Sequence, residues 1–143
     1  MPGPHSIVFV RHAERLAAGT DPSLSAAGKK RAQVLAFMLE NSRITSIFIS
    51  PFRRTKETAQ PLADRLSLVP KVLKGESLTV DRDRILAEKG AVLVVGHTNT
   101  VPELLTALGV VEHVQIGETE FDRMWIVSRS GNPPGLFSMR YPP

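Results

Sequence analysis

The chain has 143 residues, no cysteine, and 18 Lys+Arg against 14 Asp+Glu, a net charge of +4. The length suits one domain spanning residues 1–143, and the composition excludes disulfides, thiolate metal sites and cysteine nucleophiles. The small basic surplus is scattered, its one run of three (Lys29-Lys30-Arg31) falls in a predicted helix, and one Trp and one Tyr make no stacking ladder, so no nucleic-acid partner is expected.

No basic leader precedes the first apolar run, so no signal peptide is expected. No apolar stretch approaches the roughly 18 residues of a membrane span. The expectation is a soluble, cytoplasmic protein with no membrane partner. Ile7-Val8-Phe9-Val10 then reads as a strand buried on both faces, and it ends abruptly in Arg11-His12. After the breakers Gly19-Thr20-Asp21-Pro22, a helix starts with Ser25 as its N-cap, and Ala27, Val34, Leu35, Met38 and Leu39 form its predicted inner stripe. Gly28 is costly in a helix, so it marks either a close backbone approach or local fraying.

Ile47-Phe48-Ile49 is the second buried run, ending in Ser50-Pro51-Phe52-Arg53-Arg54. Ser50 is the predicted cap of a helix with Pro51 at its first position and Thr55, Ala59, Leu62 and Leu66 facing inward. A short strand is predicted at Pro70 to Leu73 and a short helix at Asp81 to Lys89, ending at Gly90. The third buried run, Ala91-Val92-Leu93-Val94-Val95, leads into Gly96-His97. A further helix then opens with the capping-box pattern Thr100-Val101-Pro102-Glu103 and stops at Gly109. Phe121 to Ser128 and Leu136 to Tyr141 read as two strands joined by the turn residues Ser130 to Pro134. This order gives an α/β domain, a three-layer sandwich whose mostly parallel central sheet is flanked by helices.

Open α/β sheets bind ligands just outside the carboxyl ends of their strands. If the three buried strands are parallel neighbours, His12, His97 and the arginines after the first two strands converge. Guanidinium groups are permanently charged donors matched to phosphate. A neutral imidazole is a competent nucleophile, and adjacent cations hold it neutral. His5, in a proline-flanked terminus, and His113, in a charged loop, lack this setting and are read as surface residues.

Four segments resemble the motifs of the histidine phosphatase superfamily, which includes the phosphoglycerate mutases. Val10-Arg11-His12-Ala13-Glu14 resembles its Arg-His-Gly signature. Leu24-Ser25-Ala26-Ala27-Gly28 is similar to its Leu-Thr/Ser-x-x-Gly segment. Ser50 to Ala59 matches the Ser-x-x-x-Arg-(Ala/Thr)-x-x-Thr-Ala stretch, and Val94-Val95-Gly96-His97 resembles the segment carrying its second histidine. The resemblance implies a phosphoglycerate mutase-like fold and a phosphohistidine intermediate on His12. It also implies phosphoryl binding by Arg11, Arg54 and His97, with no metal and no cofactor. Ser50 and Thr98 would assist at the pocket wall, while Arg53 would face solvent or the rim.

The chain departs from the pattern in having Ala13 in place of the glycine and a short interval between Arg54 and His97, without the insertion that shapes the mutase pocket. The mutase-like members carry a glutamate in that interval, so the resemblance points to Glu76 as the acid that protonates the leaving group, with Asp81, Asp83, Glu14 and Asp122 as rivals. The leading reading is therefore a metal-independent phosphatase acting on a phosphorylated small molecule or a phosphohistidine protein, similar to the compact phosphohistidine phosphatases. A mutase-type phosphotransferase and a catalytically weak phosphate-binding protein are the alternatives.

Overall fold

The computed structural model describes residues 2–142. Its elements run β1 (Ser6–Arg11), α1 (Ala26–Leu39), β2 (Ile44–Ile49), α2 (Arg53–Leu66), β3 (Lys71–Val72), α3 (Leu78–Leu86), β4 (Ala91–Gly96), α4 (Thr100–Ala107), β5 (Arg123–Ser128) and β6 (Gly135–Arg140). The strands form one six-stranded sheet in the order β3-β2-β4-β1-β5-β6. β1 and β2 both pair parallel with β4, β3 pairs parallel with β2, and β5 and β6 close the other edge antiparallel.

The three apolar runs are buried on both faces because each face is covered by helices. Along β1, Val8 and Val10 pack beneath α1 and α2 with Leu35, Leu39 and Leu62. Ile7 and Phe9 point to the opposite face and meet Leu104 and Leu105 of α4 and Ile85 of α3. β4 alternates the same way, with Leu93 and Val95 on the first face and Val92 and Val94 on the second. This period of two is the pleat of a central strand. The expected three-layer α/β architecture is the one observed.

Several local expectations are corrected. The inward face of α1 is Gly28, Arg31, Ala32, Leu35, Ala36 and Leu39, while Ala27 and Met38 are exposed. Gly28 is the cause: a Cβ there would lie 2.0 Å from the Glu14 carbonyl oxygen, so the helix seats its glycine directly on the loop after β1. The glycine thus serves a close approach rather than fraying. α2 begins at Arg53 with Phe52 as its cap residue; Ser50 and Pro51 stand outside it, because the Ser50 hydroxyl is engaged with His97 and Thr55. α3 begins at Leu78, capped by Ser77 Oγ accepting from Val80 N at 3.3 Å, rather than at Asp81. The capping box at Thr100 does not form either: Thr100 Oγ1 accepts from His97 N at 2.9 Å, and Asn99 is the cap residue. Gly109 ends α4 as expected, with φ +94°.

Candidate active site

Register places the two histidines. Arg11 lies opposite Gly96 in the parallel β1–β4 ladder, and His12 N donates to Gly96 O at 2.9 Å, carrying the pairing one residue past the strand. His12 and His97 therefore leave adjacent strands side by side, with ring centroids 5.3 Å apart. β2 sits on the far side of β4, with Phe48 opposite Val94, and brings Ser50 to the same level. Ser50 Oγ lies 2.8 Å from His97 Nε2 and 3.0 Å from Thr55 Oγ1.

His12 is 3 % exposed, and its Nδ1 is 2.8 Å from the Ala13 carbonyl oxygen. A carbonyl only accepts, so Nδ1 carries the proton and Nε2 keeps its lone pair. Burial, followed by the charges of His97, Arg11 and Arg54, pushes the His12 pKa down from 6.5 to about 3, against a raising contribution from the Ala13 hydrogen bond. His97 falls to about 4 through burial and then through Arg54 and Arg11. Both imidazoles are neutral at physiological pH.

The loop after β1 is fixed from three sides. Ala13 N donates to Thr58 Oγ1 of α2 at 2.8 Å. Ser25 N donates to the Glu14 carbonyl at 2.9 Å. Arg31 reaches from α1 to hold Glu14 with two parallel hydrogen bonds, Nε to Oε1 at 2.8 Å and Nη2 to Oε2 at 2.9 Å, while its Nη1 donates to the Tyr141 carbonyl. Ala13 itself is fully buried, which accounts for a small residue where the family motif has glycine.

Arg11, His12, Arg54 and His97 line one cavity of about 400 Å³ together with Arg15, Phe52, Thr98, Asn99 and Thr100. Arg11 lies over the Phe121 ring at 3.9 Å, and its Nη1 donates to the carbonyls of Gly117, Glu118 and Glu120. Arg54 lies over the Phe52 ring at 4.3 Å. Neither guanidinium has a carboxylate within ion-pairing distance among the described residues. The Nε atoms of both are buried without a hydrogen-bond partner. Burial, then the charge of Arg15, lowers both pKa values from that of a free guanidinium. Buried donors that lack partners and crowd positive charge around a neutral imidazole make a receptor for an anion.

Arg53 points away from this cavity: its Nε is 3.5 Å from Glu57, and the side chain is solvent-exposed. Glu76 stands exposed in the loop between β3 and α3 and lines neither this cavity nor its neighbour. Of its rivals, Glu14 is held by Arg31, Asp122 by Arg140, and Asp83 by Arg82. Asp81 is half-buried and lines an adjoining cavity that also contains Ser50 and His97. Burial raises its pKa, against the lowering effect of a hydrogen bond from the Gly75 backbone. His5 and His113 are exposed, as expected. Sequence reasoning missed Arg15, Asn99 and Phe52 on the cavity wall and Phe121 beneath Arg11. Phe121 comes from the segment just before β5, the antiparallel neighbour of β1 but distant from it in sequence, which no local spacing reveals. Among the described residues no cluster of His, Asp or Glu is suited to hold a metal ion, and no helix is long and apolar enough to cross a membrane.

Comparison with known proteins bears on this geometry. Residues 7–76 match the family model of the histidine phosphatase superfamily (branch 1). The matched segment runs from β1 to the loop after β3 and carries Arg11, His12 and Arg54, so over this part the chain is similar to that superfamily. The match ends before β4, so His97 stands on its position beside His12. Comparison with curated proteins finds no significant match. Among solved structures, the chain is similar to the protein histidine phosphatase SixA complexed with tungstate, at 20 % identity and a TM-score of 0.76 over 94 % of this chain and 96 % of that one. A putative phosphohistidine phosphatase SixA from Agrobacterium tumefaciens gives 16 % and 0.72 over 94 % and 97 %. A mycobacterial glucosyl-3-phosphoglycerate phosphatase gives 16 % and 0.65 over 96 % and 98 %. These likenesses establish the histidine phosphatase fold.

Proposed function

We propose that the chain, as a single domain, is a metal-independent phosphatase that works through a phosphohistidine on His12. The observation that carries this reading is the unprotonated Nε2 of His12, held beside two guanidinium groups whose buried Nε atoms lack partners. Phosphoryl transfer requires positioning and charge stabilisation more than covalent chemistry from the protein. Arg11, Arg54 and the neutral His97 bind the phosphoryl oxygens, and Arg15 adds positive charge at the cavity wall. The fold class of the similar solved structures is compatible with this chemistry.

In the first step the bond from phosphorus to the leaving group, P–O in a monoester or P–N in a phosphohistidine, breaks as a new P–N bond forms at His12 Nε2, and the leaving oxygen or nitrogen takes a proton. Asp81 is the carboxyl best placed to supply it, in the role the sequence reading gave to Glu76. Water then attacks the phosphohistidine and loses a proton to the Asp81 carboxylate, which releases inorganic phosphate and restores His12. The substrate is a phosphomonoester or a phosphohistidine side chain. The interval from Arg54 to His97 holds only α2, β3, α3 and β4, which favours hydrolysis over retention of a bisphosphorylated intermediate.

The test is phosphate release from an aryl phosphate by the purified protein in excess EDTA. Turnover that is unaffected by the chelator and absent from His12→Ala is the expected result. Equal turnover by the variant overturns the assignment of His12, and phosphate binding without any turnover favours a binding protein instead.

A further inference from the structure

The cavity beside the phosphoryl site differs from it in kind. It has a volume of about 120 Å³ and a predominantly apolar wall that includes Ile49, Leu73, Val94 and Leu104, with Asp81 its one carboxyl and Lys74, an exposed residue, its one amine. Leu73 is held there by its backbone, whose N–H donates to the Ile49 carbonyl at 2.7 Å. Asp81 accepts from the Gly75 backbone and so ties the loop after β3 to α3. The wall is built from the ends of β2 and β4, from α3 and α4, and from the loops after β2 and β3.

This cavity adjoins the phosphoryl site. Phe52, His97 and Thr100 belong to the walls of both. Phe52 is the partition: its ring lies under the Arg54 guanidinium at 4.3 Å and meets the His97 ring edge-on at 5.5 Å. A group attached to a phosphoryl held by Arg54 and His97 therefore has an apolar recess within reach. An apolar cavity of about 150 Å³ stays dry and takes up benzene, so this one is of the size for a single ring or a short alkyl chain. A polyol placed there would set its hydroxyls against Leu73, Val94 and Leu104 and lose hydrogen bonds to water.

We propose that this recess binds the leaving group, and that the protein selects phosphate monoesters of small apolar or aryl-bearing alcohols over those of polyols. The selection deepens the phosphatase reading above and rests on it. Benzyl phosphate and glycerol 1-phosphate separate the two, because their parent alcohols are of similar acidity and differ mainly in polarity. The expected result is kcat/KM at least about tenfold higher for the benzyl ester. Benzyl alcohol should also inhibit competitively, while glycerol at the same concentration does not.

Leu104→Phe, which fills the recess, should bring the two esters to within about threefold of each other. Its fold is checked by circular dichroism, and Leu73→Phe replaces it if it fails to fold. Equal kcat/KM for the two esters in the unmodified protein, or a preference that survives a folded, filled recess, overturns the proposal and leaves the phosphatase reading standing. No phosphate release from either ester or from an aryl phosphate overturns the phosphatase reading, and the leaving-group site with it.

Discussion

The two cavities at the carboxyl edge of the sheet share Phe52 and His97, yet they are built by opposite means. One gathers Arg11, Arg15 and Arg54, with no carboxylate paired to Arg11 or Arg54 among the described residues, around a histidine that burial keeps neutral. The other is lined mainly by apolar side chains, with a half-buried aspartate and the exposed Lys74 as its carboxylate and amine. The first is suited to the charge common to all phosphate esters, the second to whatever differs between them. Binding that all substrates share and binding that discriminates are thus assigned to separate walls, and substitutions on the two sides should have separable effects.

The largest effect belongs to the charged side. His12→Ala should lower phosphate release by at least about 10³-fold for good and poor leaving groups alike, measured by steady-state phosphate release. Next, Arg54→Ala should lower kcat/KM by about 10²–10³-fold, since it removes charge-assisted hydrogen bonds worth roughly 1.5–3 kcal/mol each. Arg53→Ala should change kcat/KM by less than about twofold, because its side chain faces solvent beside Glu57. Equal losses from the two adjacent arginines would erase the distinction between cavity and rim.

On the apolar side, Asp81→Asn should cost about 10²-fold with a poor leaving group and much less with a good one, while Glu76→Gln should leave both rates within about twofold. An equal loss on both leaving groups for Asp81→Asn would reduce Asp81 to a tie for the Gly75 loop. A smaller effect is expected from Arg31→Ala, which strands Glu14 and loosens the loop carrying His12. A destabilisation of about 2 kcal/mol is expected, below the usual cost of breaking a fully buried pair because Glu14 is partly exposed, and a thermal melt reads it.

The pH dependence follows from the sign of the His12 shift. Its pKa falls from 6.5 to about 3 on folding, so the unfolded chain binds this proton more readily. Stability from this source is fully present above about pH 6.5 and is lost as pH falls through that value toward about 3. His97 adds a loss of the same sign, extending to about pH 4. Denaturant midpoints measured from pH 7 down to pH 4 should decline accordingly, and the decline should be reduced in His12→Ala.

The charged cavity was legible in the sequence because its parts sit directly after buried strands. Arg11-His12, Ser50 and Gly96-His97 each follow an apolar run, and parallel register does the rest: Arg11 opposite Gly96 fixes His12 beside His97 without help from any loop. The apolar cavity was not legible, because its wall is assembled from Leu73, Asp81 and Leu104, which lie on a loop and two helices and converge only in three dimensions. Glu76 is the glutamate to which the resemblance to the mutases points in this interval, but the loop after β3 leaves it exposed while α3 starts early and carries the half-buried Asp81. The caps misled for a related reason. Ser50 and Thr100 have N-cap chemistry, but their hydroxyls hold His97 in place, one at its ring and one at its backbone.

Chemical trapping of the intermediate tests the central claim most directly. Rapid quenching during turnover of a ³²P-labelled aryl phosphate should yield protein-bound label that survives alkali, is lost in acid, and maps to the peptide containing His12, with none retained by His12→Ala. Label on another residue, or turnover at full rate with no labelled protein when hydrolysis of the intermediate is slowed, would contradict it.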